Sequence, residues 1–268
     1  AAHLAVAAFG NRHAVPAVGA FAPAVFDRAK LGQAIVGTLT ALVGRWHGGP
    51  AQVSVLSSTL FGGVSGSAVA DASAIGSLVM PWHRRLGYPM AFSAASLAAA
   101  ATIDIIIPPS IPMILYAMSA NESIGALFYA GILPGLLLCG GFMAACWWVG
   151  KSKNLPRESA PSDRTAFRRN LVLSLPAIAL PVLIIVFLRF GIATPTEVAV
   201  LSTLFAGAVS LLIYRDLSIQ RLHHAVLEAG LATGVVLMVI MSSAAIGWLL
   251  TFDRMPDGVV AWAQTHLS

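Results

Sequence analysis

The chain has 268 residues, of which 57% are hydrophobic and 10% charged, with a mean hydropathy of +0.82, whereas soluble domains carry about 25% charged residues. That composition excludes a soluble all-α domain, whose helices need a wettable face, and the alternating segments of about ten residues expected of an outer-membrane barrel are absent. The formal net charge of +5 is distributed between apolar stretches instead of one stripe, so it reports membrane topology rather than a nucleic-acid partner.

Residues 1–26 read as the end of one helix followed by a short one, and residues 31–44 as a helix near the membrane surface or linking two bundles. Between Gly49 and Phe61 there are too few apolar residues for a full span, which needs about 20. The run Phe61-Gly62-Gly63-Val64-Ser65-Gly66-Ser67-Ala68-Val69-Ala70-Asp71-Ala72 follows. Each interior glycine there costs roughly 1 kcal/mol of helix propensity, and irregular backbone at membrane depth survives only where it lines a cavity or is buried in protein. A second short apolar run, Ala68 to Met80, ends in Pro81-Trp82-His83-Arg84-Arg85. Two half-length helices joined by a small-residue tip describe a re-entrant hairpin that enters and leaves on one side.

The helix over 88–104 is stopped by Ile105-Ile106-Ile107-Pro108-Pro109-Ser110-Ile111-Pro112, because prolines remove backbone donors and clash with the preceding turn. Apolar sequence resumes at Met113. This is the pattern of a discontinuous transmembrane helix, whose freed carbonyls coordinate cations and whose second-half N-terminus faces anions. Ser123 to Gly150 makes a long span, and residues 151–169 are hydrophilic and basic. Spans over 170–190 and 195–213 follow, the latter opened by Thr194-Pro195-Thr196-Glu197 with an N-cap-like threonine. A short amphipathic stretch from Leu217 to Glu228 then precedes a last span from Ala229 to Thr251.

Following these crossings puts Arg45, Arg84, Arg85, the 151–169 loop, Arg215 and Arg221 on the cytoplasmic side, with Asn121, Glu122, the 191–194 turn and Arg254 outside. A single crossing by residues 51–80 would instead place the basic loop outside. His83, His223 and His224 are expected in cytoplasmic loops, solvated or at headgroup level, and Cys139 and Cys146 as packing residues of one helix face. The start at Ala1 without Met and the stop at Ser268 lead to the expectation of a fragment incomplete at both ends.

The hairpin run 61–71, the break Ile106-Ile107-Pro108-Pro109-Ser110-Ile111-Pro112, the stretch Ala130-Gly131-Ile132-Leu133-Pro134-Gly135 and the turn Gly191-Ile192-Ala193-Thr194-Pro195-Thr196-Glu197 together resemble the large membrane (DctM-type) subunit of tripartite ATP-independent periplasmic (TRAP) transporters. The resemblance implies an all-α polytopic protein of the bacterial inner membrane with an elevator-type fold of two inverted repeats. On that pattern residues 1–48 are N-terminal helices and a linking arm. Residues 49–150 are a full first repeat, with hairpin 49–81, broken helix 88–120 and span 123–150; residues 170–268 begin the second. It also implies sodium-coupled import of an organic acid, a dicarboxylate, sialic acid or related carboxylate. The partners would be a periplasmic solute-binding protein, a small membrane subunit and membrane lipid, with no organic cofactor and no enzymatic step. A carrier that works without a binding protein, or a proton-coupled variant, is the alternative.

Sodium needs several oxygen ligands, and a helix broken in the membrane supplies unpaired carbonyls beside Ser and Thr hydroxyls. The candidate ion site is Ser65, Gly66 and Ser67 at the tip with Thr102, Ile106, Ile107 and Pro109 at the break; Gly63, Ser65, Ser67 and Ser110 are candidates to meet the substrate. Gly62 and Gly66 equally fit a small-xxx-small helix contact. Asp71 and Asp104 are candidate functional acids, since intramembrane acids are expensive. For Asp71, indirect ion binding competes with capping of the tip amides or structural pairing. Asp104 stands where the family usually has glycine, so it adds charge, shifts ion preference toward protons, or pairs with a basic group. Ser65 has no His or Lys at comparable depth to make it a nucleophile, and the 61–72 run lacks the G-x-S-x-G elbow.

Overall fold

A computed structural model describes residues 28–120, 122–158, 164–215 and 218–255, with positions 258, 262, 264 and 265 beyond them. The helices expected within residues 1–26 lie outside the described residues. All regular structure among the described residues is helical: α1 Arg28–Val43, α2 Gly49–Ser65, α3 Ala68–Arg85, α4 Met90–Ala101, a 3-10 turn Thr102–Ile105, α5 Ile111–Ala120, α6 Ile124–Ser152, α7 Arg164–Arg189, α8 Pro195–Leu212 and α9 Ile219–Phe252.

The helix α2 is the centre of the molecule. It packs against α1, α3, α4, α6, α7 and the 3-10 turn, and Ala51, Val53 and Val55 have no exposed surface. Its entry is set by Gly48 in the left-handed region (φ 69°), with Pro50 in the first turn, where a missing amide hydrogen costs nothing. Its exit is Gly66, again left-handed (φ 61°), whose N–H donates to Gly62 O, an αL termination open to glycine at little steric cost. Ser67 then caps α3, its hydroxyl accepting from Ala70 N–H at 3.4 Å. The two arms run antiparallel and pack on one another through a core that includes Val53, Phe61, Val64, Ile75 and Val79.

The second arm passes Pro81 and continues to Arg85. A proline inside a helix costs about 3 kcal/mol, but the residues after it are anchored: Trp82 Nε1 donates to Glu158 Oε2 at 3.0 Å. His83, expected in a solvated loop, is fully buried. Its ring lies between those of Trp82 and Tyr88 and its Nε2 is 3.5 Å from Ser54 Oγ. The adjacent Arg84 and Arg85 are exposed, so the charges report the end of the helix while the imidazole belongs to its packed face.

The broken helix has the form that its prolines dictate. The helix α4 tightens into the 3-10 turn at Thr102–Ile105, the Pro108–Pro109 peptide is cis, and α5 starts at Ile111. The stretch divided in sequence at residue 229 is instead one helix, Ile219–Phe252; a single Gly230 costs about 1 kcal/mol and does not end it. Likewise α7 begins at Arg164, inside the basic loop. Among the described residues, three helices are long and apolar enough to cross a membrane, Ile124–Ser152, Arg164–Arg189 and Leu222–Phe252, as a polytopic membrane protein requires.

Candidate functional site

The hairpin tip docks on the proline break. Ile111 N–H donates to Gly66 O at 3.4 Å, and a Cβ on Gly66 would come within 2.7 Å of Pro109 O, so glycine is required here by backbone conformation and by space together. Between tip and break lies a cavity of about 40 Å³ whose walls are Ser65, Gly66 and Pro109 together with the apolar Val64, Ile111, Ile114 and Leu115. That volume suits an ion or a water, which needs roughly 10–15 Å³, and is far below that of an organic acid. Its polar wall is the Ser65 hydroxyl, which also accepts from Ser67 N–H at 3.4 Å, with the Gly66 and Pro109 backbone.

Of the residues assigned from sequence, Ser65, Gly66 and Pro109 thus meet. Thr102 does not join them: it is exposed and its hydroxyl donates back to Ala99 O at 2.6 Å. The Ile106 carbonyl faces α6, where a Cβ on Gly131 would sit 2.4 Å from it, and the Ile107 side chain packs on Gly135 one turn further. Gly63 lies against Pro181 of α7, 2.7 Å from its would-be Cβ. Ser67 is half-buried at the cap of α3. Ser110 is buried, donates to Ile105 O at 2.8 Å and accepts from Met113 N–H at 3.3 Å, so it stitches the two halves of the broken helix and caps α5. The sequence does not point to Ile111, Ile114 or Leu115 as cavity residues; apolar residues after a proline run carry no signal for such a role. Gly131 and Gly135, one turn apart, did carry one, as small residues that let a backbone approach closely.

The two acids lie behind the tip. Asp71 and Asp104 have no exposed surface, and Asp104 fills the notch left by Gly62, whose Cβ would overlap the carboxyl at 2.1 Å from Oδ1. Asp71 stands beside Asp104 and Ser58. None of their four carboxyl oxygens has a hydrogen-bond partner among the described residues. Asp71 therefore does not cap the tip amides; that role falls to Ser67. At the start of α8, Glu197 forms a capping box with Thr194, its Oε2 accepting from Thr194 N–H at 2.7 Å and the Thr194 hydroxyl accepting from Glu197 N–H at 3.4 Å.

Residues 11–267 match the family described as Tripartite ATP-independent periplasmic transporter, DctM component. The chain belongs to this family. It is 49% identical to the protein y4mL of Sinorhizobium fredii over 89% of this chain and 57% of that one. It is 35% identical to the 2,3-diketo-L-gulonate TRAP transporter large permease protein YiaN of Escherichia coli, over 87% of this chain and 54% of YiaN. The C4-dicarboxylate TRAP transporter large permease protein DctM of Pseudomonas aeruginosa is 35% identical over 83% of this chain and 52% of its own length. The chain spans about half the length of the curated relatives it matches. DctM-type permeases are integral inner-membrane transporter components and not enzymes, in keeping with the three membrane-length helices.

Proposed function

We propose that this DctM-type chain supplies one full transport repeat and part of a second to an elevator-type permease that imports an organic acid with sodium. The observation that carries the reading is the docking of the Gly66 tip on the Pro109 break around a cavity of ion size. A cation held there by Ser65 and the tip and break carbonyls would fasten hairpin to broken helix, and its departure would loosen them; that is the coupling a secondary carrier needs. The substrate carboxylate would lie outside this cavity, toward the N-termini of α3 and α5, where helix dipoles and free amides favour an anion. Ser67 and Ser110 sit at those two N-termini, Ser65 lines the cavity and Gly63 lies against Pro181 of α7.

A periplasmic binding protein would deliver the substrate and a small membrane subunit would complete the assembly, as the word tripartite in the family's description implies. The substrate is a carboxylate, the class to which the molecules in the relatives' names, 2,3-diketo-L-gulonate and C4-dicarboxylate, belong. The test is uptake of a radiolabelled carboxylate into proteoliposomes holding the full-length subunit and its small partner. Uptake that requires both an inward sodium gradient and the binding protein is expected; uptake indifferent to either would overturn the corresponding part of the proposal.

A further inference from the structure

Behind the tip, the hairpin interior carries a polar seam that the sodium site does not use. On α2, Ser54, Ser58 and Gly62 recur every four residues and so share one face. Against that face stand His83, with Nε2 3.5 Å from Ser54 Oγ, then Asp71 beside Ser58, then Asp104 in the Gly62 notch. Ser54, Ser58, Asp71, His83 and Asp104 all have 0% exposed surface. Ser58 Oγ, His83 Nδ1 and all four oxygens of Asp71 and Asp104 lack a hydrogen-bond partner among the described residues. The seam runs from the pair toward the end of α3, where His83 is followed at once by the exposed Arg84 and Arg85.

Two carboxylates side by side at this depth are strongly unfavourable unless something positive sits with them. The described residues do not provide it. The helices α2 and α4, packed on both acids, contain no ionisable residue. Beyond the pair, α3 offers only His83, Arg84 and Arg85 at its far end. The helix α1 brings Arg28 and Lys30 in its first turn, and Lys30 Nζ reaches Tyr214 O. Helices α5 and α6, which touch the 3-10 turn of Asp104, carry Tyr116, Tyr129, Cys139, Cys146 and Lys151. No basic side chain bonds to either carboxyl among the described residues.

We propose that Asp71 and Asp104 form a carboxyl pair that holds one exchangeable proton, reached along the Ser58, Ser54 and His83 seam from the end of α3. The missing positive charge is a proton rather than a second sodium because the groups leading to the pair are hydroxyls and an imidazole, which both donate and accept, as proton-carrying chains in membrane proteins do. Loading adds one proton to the pair and takes it from two negative charges to one; release reverses this, and no other bond is made or broken. Use of this proton in import rests on the transport reading above, while its presence does not.

The experiment is infrared spectroscopy on the purified full-length subunit, comparing wild type with Asp104→Asn, whose amide can donate to Asp71 in place of the proton, and with the Asp71→Asn/Asp104→Asn double variant. A protonated-carboxyl band that shifts in heavy water, is present in wild type and is lost in both variants is expected. Absence of the band in wild type, or its persistence in Asp104→Asn or in the double variant, overturns the proposal. In proteoliposomes, wild type should move one more proton per substrate than Asp104→Asn. Should wild type show no binding-protein-dependent uptake, the transport reading fails while the infrared band still decides the proton.

Discussion

Helices α2 and α9 are both apolar, and they bury that character in opposite ways. The 17-residue α2 has 14 residues buried within the protein, whereas the most apolar stretch of Leu222–Phe252 has none. Short of a membrane's thickness, α2 cannot leave its ends to water and its sides to lipid, so protein surrounds it and supplies partners: Gln52 Nε2 donates to His47 O at 2.7 Å. The longer α9 can present Leu231, Met238 and Trp248 outward, because lipid tails are as apolar as they are. Hydropathy alone does not separate the two; length and the small-residue breaks at either end do.

The comparison breaks most sharply where α2 begins. Gly48 has a left-handed backbone and its would-be Cβ falls 2.1 Å from Cys146 O on α6, so Gly48→Ala should cost about 3 kcal/mol from strain and overlap together. Thermal unfolding of the full-length subunit in detergent measures it, and an unshifted midpoint would mean that α6 does not press on this turn. Next comes a matched pair of truncations. Ile75 on the second arm has no exposed surface, so Ile75→Ala should destabilise by about 2–5 kcal/mol, while Leu231→Ala on α9, 73% exposed, should stay within about 0.5 kcal/mol. Equal losses would show that α9 is covered by protein. Smaller again is the cap of α8: Thr194→Ala removes the hydroxyl that accepts from Glu197 N–H and should cost about 1 kcal/mol, read by the same melting measurement.

How much of this was legible depended on whether a residue's role is local. The tip and break stand out in sequence because glycine and proline act on their own backbone: Gly66 at φ 61° and the stop before α5 are consequences of residue type. The capping box at Thr194 and Glu197 is equally local. Side-chain direction is not. The sequence groups Thr102 with the ion ligands, yet the 3-10 turn aims its hydroxyl at Ala99 O. In sequence His83 goes with its charged neighbours, yet the helix continues past Pro81 and turns the ring inward. That Gly62 makes the notch for Asp104 joins residues far apart in the chain, and only the packing of α2 on the 3-10 turn reveals it.

The most direct test of the central claim, that a cation binds where the hairpin tip meets the break, is sodium affinity in the purified full-length subunit for Ser65→Ala and Thr102→Val. Ser65 lines the cavity and Thr102 faces away from it. The expected result is sodium affinity weakened on the order of tenfold by Ser65→Ala, equal to about 1.4 kcal/mol, and unchanged by Thr102→Val. Unchanged affinity in Ser65→Ala, or a loss confined to Thr102→Val, would contradict the account.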